Sequence, residues 1–383
     1  MANSELEAIP CSIWRGGTSK AVFLLENDLP VRPEERDRVI LSIFGSPDAR
    51  QIDGLGGADP LTSKLAVIGP ASRAGADIDY TFGQVDIRRP FVDYSSNCGN
   101  ISSAVGPFAI VQGLVRAAEP VTTVRINNTN TGKIFEAEVP MAGGRPAVLG
   151  DYRISGVPGT GARIMLNLAG TIGSKTGKLL PTGNPKDVIR IDGLGDLTVS
   201  LVDAASPMVF VLAEDLGLSG TETPAEVDSN SERLELLEKI RCRAALRMGM
   251  VKSEEEARQK VRAVPMVAFV APPRKYRVFS DGREISADEV DFVSRVMFMQ
   301  VMHKAYSGTA TACTGSAAVT PGTIVNSVMR RHRDSRPVRI GHPGGVIEAD
   351  MRVGDGKITR AAIGRTARLI MEGRVYVPRG VLP

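Results

Sequence analysis

The sequence predicts an α+β protein built from two similar domains, and three observations predict it. Apolar runs such as Ala21–Leu25, Leu65–Ile68 and Val121–Ile126 are short and bounded by Gly, Pro, Asn or Asp, as strands are. A smaller number of segments carry helical spacing instead. Features also recur in the same order along the chain. IDGLG occurs at Ile52–Gly56 and Ile191–Gly195, CGNISSAVGP begins at Cys98, and CTGSAAVTP begins at Cys313. Each IDGLG precedes a Pro and an apolar strand: Asp59-Pro60 before Leu65–Ile68, and Ser206-Pro207 before Met208–Leu212. Two matches in one order favour duplication. The expected division is 1–185 and 186–383, with a helical insertion near 219–304 absorbing the unequal offset.

The elements follow in order. Pro33 stands near the first position of a helix whose face is Val39, Ile40, Ile43 and Phe44, and Gly45 ends it. A second helix starts near Asn97, with Ile101, Ala104, Val105, Phe108 and Ile110 at helical spacing and few charges on any face, so it is expected to be buried. Pro107 within it predicts a kink or a break. In the second half, Leu234, Leu237, Ile240, Ala244 and Met248 recur every three or four residues, and Gly249 stops the run. Ser253 and Glu256 form a capping-box pair for the next helix. Ser286 and Glu289 form another, before a stripe of Val290, Val293, Val296, Met297 and Val301. The basic run Arg330–Arg339 reads as a solvated loop before a strand.

Composition narrows the function classes. Of 383 residues, 43% are hydrophobic and 23% charged, which excludes collagen, coiled coil and wholesale disorder. A net charge of +4 and a single Trp, Trp14, argue against nucleic acid as a partner. Residues 1–10 carry two Glu and no apolar run, unlike a secretory signal. No stretch reaches the length of a membrane span, so no membrane partner is expected. Cys11, Cys98, Cys242 and Cys313 are far apart and read as free thiols in a reducing cytoplasm. With three His, no paired metal ligands and no GxSxG elbow, a metal site or a Ser-His-Asp triad has little support. Lys, Cys or a carboxylate is left to carry protons. A homodimer is compatible with all of this.

Three segments can hold chemistry. In Asn97-Cys98-Gly99-Asn100, Asn97 is a good N-cap and Cys98 then falls in the first helical turn. Unpaired N–H groups there favour a thiolate or hold a substrate carboxylate, and Gly99 lets a ligand approach. A buried structural thiol fits the same residues. Lys64 follows Ser63 and opens an apolar strand. Desolvated, its amine suits a general base; at an edge it points to water. Arg15, Gly17, Thr18, Ser19 and Lys20 supply backbone and hydroxyl donors and two cations for a carboxylate, without the spacing of a phosphate loop. His342, Gly344 and Gly345 form either a similar anion-binding turn or a plain turn. By the repeat, Cys313, Thr314, Gly315 and Ser316 occupy the second helix start and are candidate substrate contacts.

RGGTSK (Arg15–Lys20), IDGLGGADPLTSK (Ile52–Lys64), NCGNISSAVGPFAI (Asn97–Ile110), HKA (His303–Ala305) and GHPGG (Gly341–Gly345) resemble the PrpF family nearly end to end. The resemblance implies a diaminopimelate epimerase-like fold: two pseudo-symmetric domains, each a sheet curled around a central helix, with the active site between them. It implies cofactor-free movement of a C=C bond in a small di- or tricarboxylate such as methylaconitate, aconitate, oxalomesaconate or methylitaconate. The family's catalytic lysine and cysteine match Lys64 and Cys98. The mechanism expected has Lys64 remove an allylic proton to give a dienolate. Helix-end N–H groups and residues 15–20 stabilise it, and Cys98 or Lys64 returns a proton. Two rivals remain at this stage: an amino-acid racemase or epimerase using Cys98 and Cys313, and a carboxylate-binding protein without turnover.

Overall fold

The computed structural model describes residues 5–94, 97–154, 156–330 and 337–381. The chain forms two units, Met1–Leu166 with Gly364–Pro383, and Asn167–Ile363. The expected boundary at 185/186 therefore lies inside the second unit. The first unit also reclaims the C-terminal strand Ala367–Pro378, because that strand pairs antiparallel with β1 (Leu6–Gly16) from Leu6↔Pro378 to Gly16↔Ala367.

In the first unit β1 turns into β2 (Ser19–Leu25) through Gly17, whose φ of 50° suits glycine. β2 lies parallel to β3 (Lys64–Pro70), so a crossover must join them, and α1 (Pro33–Phe44) lies in it. Pro33 starts α1 and Gly45 caps it at φ 68°, as the sequence predicts. β4 (Ile78–Val85) runs antiparallel to β3, and β5 (Val92–Asp93) pairs with its end. α2 (Gly99–Val111) then leads to β6 (Val121–Asn128), parallel to β4, and β7 (Lys133–Ala142) closes a hairpin on β6.

The sheet is covered on both faces, which is why β2 and β3 read as unbroken apolar runs. Val22, Leu24, Leu65 and Val67 pack with Val39, Ile40, Ile43 and Phe44 of α1. Phe23 turns the other way and stacks with Trp14 of β1 and Phe108 of α2, ring centroids 5.2–6.4 Å apart. Ten consecutive residues of α2, Ile101 to Ile110, are buried. Strands β1, β2, β3, β6 and β7 and the C-terminal strand surround this helix. α2 continues through Pro107 without the expected break. At Gly106 a Cβ would lie 2.9–3.0 Å from Val139 and Ala137, so helix and sheet touch there at glycine distance.

The second unit repeats this order. Gly195–Ala204 pairs antiparallel with Ser206–Leu212, which lies parallel to Met266–Ala271. The crossover holds α3 (Pro224–Asp228), α4 (Ser231–Arg247) and α5 (Glu254–Gln259) where the first unit has α1. Phe292–Phe298 follows antiparallel, then α6 (Gly308–Val319), a parallel strand Val338–His342, and a hairpin to Gly345–Gly354. α6 occupies the place of α2, and Gly315 the place of Gly106. A Cβ on Gly315 would lie 2.8 Å from Ala349 and from Met351.

Three expectations need correction. The two IDGLG segments are not equivalent: the first lies in the loop after α1, the second turns the hairpin between Asp187–Ile191 and Gly195–Ala204. The region 219–304 is not wholly helical, since two central strands of the unit fall within it. The Ser286/Glu289 capping box is present, but it caps one turn of 3-10 helix, Ala287–Glu289. The stripe after it is the strand Phe292–Phe298, buried on both faces, where β-branched residues show no strand period to read. By contrast Ser253 does cap α5, accepting from the Glu256 N–H. Residues 331–336 of the basic run lie outside the described residues. No helix among the described residues is long and apolar enough to cross a membrane.

Candidate active site

The site candidates of the first unit gather where the β1–β2 turn meets the start of α2. A Cβ on Gly16 would lie 2.5 Å from the Asn100 carbonyl oxygen, and one on Gly17 2.2 Å from Asn100 Oδ1. Only glycine permits that approach, which explains the two glycines after Arg15. Asn100 Nδ2 donates to Thr18 Oγ1 at 3.0 Å. Gly17 N–H donates to the Thr366 carbonyl, and Arg15 Nη1 donates to the Gly17 and Thr366 carbonyls at 3.0 and 2.9 Å. Ser19 is 3% exposed, and its Oγ has no hydrogen-bond partner among the described residues. Lys20 N–H donates to the Leu61 carbonyl, tying the turn to the segment before Lys64.

The helix start differs from the expected one by one residue. Cys98, not Asn97, is the N-cap, with φ −122° and ψ 102°, and no side chain caps the helix. Asn97 Oδ1 instead accepts the Cys98 N–H at 2.7 Å and Asn128 Nδ2 at 3.3 Å. The asparagine is thus spent on positioning Cys98, and among the described residues no side chain takes up the N–H groups of the first turn. The thiol is half-buried, whereas Cys11, Cys242 and Cys313 are buried. Tyr80, fully buried nearby, has its phenol pushed up by burial and by the charge of Cys98.

Lys64 is 8% exposed, and its Nζ donates to Gln84 Oε1 at 2.8 Å and lies 5.3 Å from the Phe82 ring centroid. Gln84 Nε2 donates to the Pro60 and Ser63 carbonyls, which fixes the amide oxygen toward the amine. Among the described residues no carboxylate forms an ion pair with Lys64. The edge-lysine alternative does not apply, since the side chain is buried against the sheet. Ser63 is fully buried, and its Oγ donates to Gln51 Oε1 at 2.6 Å. Gln51 also accepts the Ala58 N–H, so Ser63 braces the glycine-rich loop through Gln51.

The candidates of the second unit are placed differently. Cys313 lies inside α6, well past its N-cap Ser307. Cys313, Thr314 and Ser316 are fully buried, and Gly315 packs on Ala349. Cys313 Sγ points to the Val202 carbonyl at 3.5 Å, and burial pushes its thiol far up. Thr314 Oγ1 bonds the Tyr306 hydroxyl, and Ser316 Oγ donates to the Ala312 carbonyl. Their side chains are thus engaged within the core of the unit, unlike the half-buried Cys98. His342 is 2% exposed, and its Nδ1 accepts the Gly344 N–H at 3.1 Å. Gly345, at φ 133°, pairs with His342 in the hairpin, and its carbonyl accepts the Tyr276 hydroxyl. The GHPGG segment is a hairpin turn whose carbonyls also accept from Phe279 N–H and Arg295 Nη1.

The sequence reading missed Gln84, Asn128 and Arg365. Arg365 is 5% exposed, and its Nη1 donates to the Gly364 carbonyl at 2.9 Å. Burial pulls its guanidinium down, and the charges of Tyr152 and Cys98 oppose that. Nothing local marks it, since it stands near the far end of the chain from Cys98.

A buried amine and a thiol at a helix start without a side-chain cap are group types that acid–base chemistry uses. The chain matches PrpF protein over residues 6–378. It is 56% identical over 379 residues to a 3-methylitaconate isomerase of Eubacterium barkeri, covering 99% of this chain and 100% of that one. It is 40% identical over 388 residues to a 2-methyl-aconitate isomerase of Shewanella oneidensis, covering 97% of each. A crystal structure of methylitaconate-delta-isomerase superimposes with a TM-score of 0.95 at 56% identity, covering 99% of this chain and 98% of that one. A hydroxyproline epimerase from Agrobacterium vitis, 12% identical, shares the fold with a TM-score of 0.51, covering 99% and 94%. The chain therefore belongs to the PrpF family and is an isomerase.

Proposed function

We propose that this isomerase shifts the C=C bond of a small unsaturated dicarboxylate, with 3-methylitaconate as the preferred substrate. The observation that carries the reading is the Lys64 amine, buried and, among the described residues, without a carboxylate partner, in the same unit as the Cys98 thiol at a helix start that no side chain caps. The identity to a 3-methylitaconate isomerase supports the choice of acid. In that acid the C3 proton is both allylic and α to a carboxylate. Lys64 takes it as a neutral amine and becomes an ammonium, leaving a dienolate spread over the carboxylate and the alkene. The N–H groups at the start of α2 and the Arg15–Lys20 turn hold the carboxylates and the spreading charge. The Cys98 thiol delivers its proton to the methylene carbon, giving a methyl group and a thiolate. Proton exchange with water resets both side chains. Every bond change is a proton transfer, so the reaction proceeds without a cofactor. The four free thiols support a reducing, cytoplasmic location.

Each acid–base group contributes about 10²–10⁴-fold to turnover. Lys64→Ala and Cys98→Ala are each expected to lose that much in kcat, with unfolding transitions close to wild type. Normal turnover in either variant removes that residue from the mechanism.

A further inference from the structure

We propose that Arg365 anchors a substrate carboxylate beside Cys98, with the Ser19 hydroxyl and the first turn of α2 completing the anion site. This rests on the reading of the protein as a polycarboxylate isomerase. The guanidinium carries five N–H donors. The single hydrogen bond it makes among the described residues goes to the carbonyl of its own neighbour Gly364. No carboxylate there forms an ion pair with Arg365, nor with Arg15 or Arg368, although Arg15 feels the charge of Arg368. A buried charge left without a counter-charge is costly, and an arriving anion removes that cost.

The second observation is Ser19, 3% exposed and without a hydrogen-bond partner for its Oγ among the described residues. Backbone pairing brings these groups to one corner. Gly16 pairs with Ser19 across one edge and with Ala367 across the other. Gly17 N–H bonds the carbonyl of Thr366, the residue after Arg365. Thr18 then meets Asn100 in the first turn of α2. A guanidinium fork, a hydroxyl and the N–H groups of a helix start that no described side chain caps match a planar carboxylate. The geometry sets the anion against the one half-buried thiol, so the substrate is oriented before any proton moves.

The test uses the full-length protein and reads alkylation of Cys98 by mass spectrometry, comparing iodoacetate with iodoacetamide. In both reactions the Cys98 sulfur bonds the CH₂ carbon and iodide leaves; the reagents differ in carrying a carboxylate. Wild type is expected to prefer iodoacetate, and succinate is expected to protect the thiol. Arg365→Gln is expected to cut the preference about ten- to hundredfold, the worth of a charge-assisted hydrogen bond, and to abolish protection. It is also expected to raise KM for 3-methylitaconate more than it lowers kcat. Arg365→Lys keeps most of the preference, and Ser19→Ala loses about two- to threefold by the loss of one neutral hydrogen bond. Should Arg365→Gln fail to fold, the lysine and alanine variants decide. Wild-type preference and protection in Arg365→Gln, or in Ser19→Ala where that variant must decide, overturn the proposal. If the charge preference behaves as expected while no acid turns over, the anion site stands and the isomerase substrate is wrong. If turnover is normal and the preference ignores Arg365, the anchor alone is wrong.

Discussion

α2 and α6 hold the same place in two units of the same topology, and they begin differently. α6 starts at Ser307, whose Oγ accepts the Ala310 N–H at 3.2 Å. α2 starts at Cys98, whose side chain caps nothing. Further in, both helices press a glycine, Gly106 or Gly315, against an Ala and a larger apolar residue of the neighbouring strand. The body of each helix is thus built for packing in the same way. The start of α6 is closed by its own serine, while the start of α2 gives up a cap and keeps a thiol. Giving up a stabilising contact is what a functional position does.

The comparison can be broken in order of effect. The largest is the loss of turnover in Lys64→Ala and Cys98→Ala, about 10²–10⁴-fold each, whereas Ser307→Ala is expected to leave the proton-transfer step in place. Next come the buried glycines. Gly106→Ala and Gly315→Ala each overpack a helix–strand contact and are expected to cost about 1–3 kcal/mol in urea unfolding. A large cost at one and none at the other would end the structural equivalence. Cys98→Ser should install the missing cap, gaining about 0.5–1 kcal/mol of stability while turnover falls; a variant that loses stability and turnover together contradicts the trade. Ser307→Ala should cost about 1 kcal/mol. The smallest effect is at Cys313, where replacement by Ala is expected to leave kcat/KM within about threefold, since the thiol sits in the core.

How far the residues alone carried the reading follows from the kind of signal each region has. α1 was readable because Pro33 and Gly45 punctuate it and its apolar face is periodic. The strands at 19–25, 64–70 and 121–128 were readable because turn residues bound them. Phe292–Phe298 was misread because a strand buried on both faces loses its alternation, and a real capping box stood before it. The duplication was correctly inferred from partly wrong pairs. Aligning Cys98 with Cys313 follows the residue name; aligning Gly99 with Gly308 also aligns Gly106 with Gly315 and sets Ser307 opposite Cys98. That glycine spacing is present in the sequence and sets Cys313 in the body of its helix rather than at the start. The Lys64 and Cys98 motifs stood out because each is continuous. Gln84 could not stand out, because only the register of the sheet sets it opposite Lys64, and Arg365 stands in no continuous motif.

The most direct test is proton NMR of the purified protein with 3-methylitaconate in D₂O. The account predicts loss of the methylene signals, a new methyl group carrying deuterium from solvent, and washout of the C3 proton. The same acid left unchanged by folded protein, with no deuterium at C3 or at the methylene carbon, would contradict it.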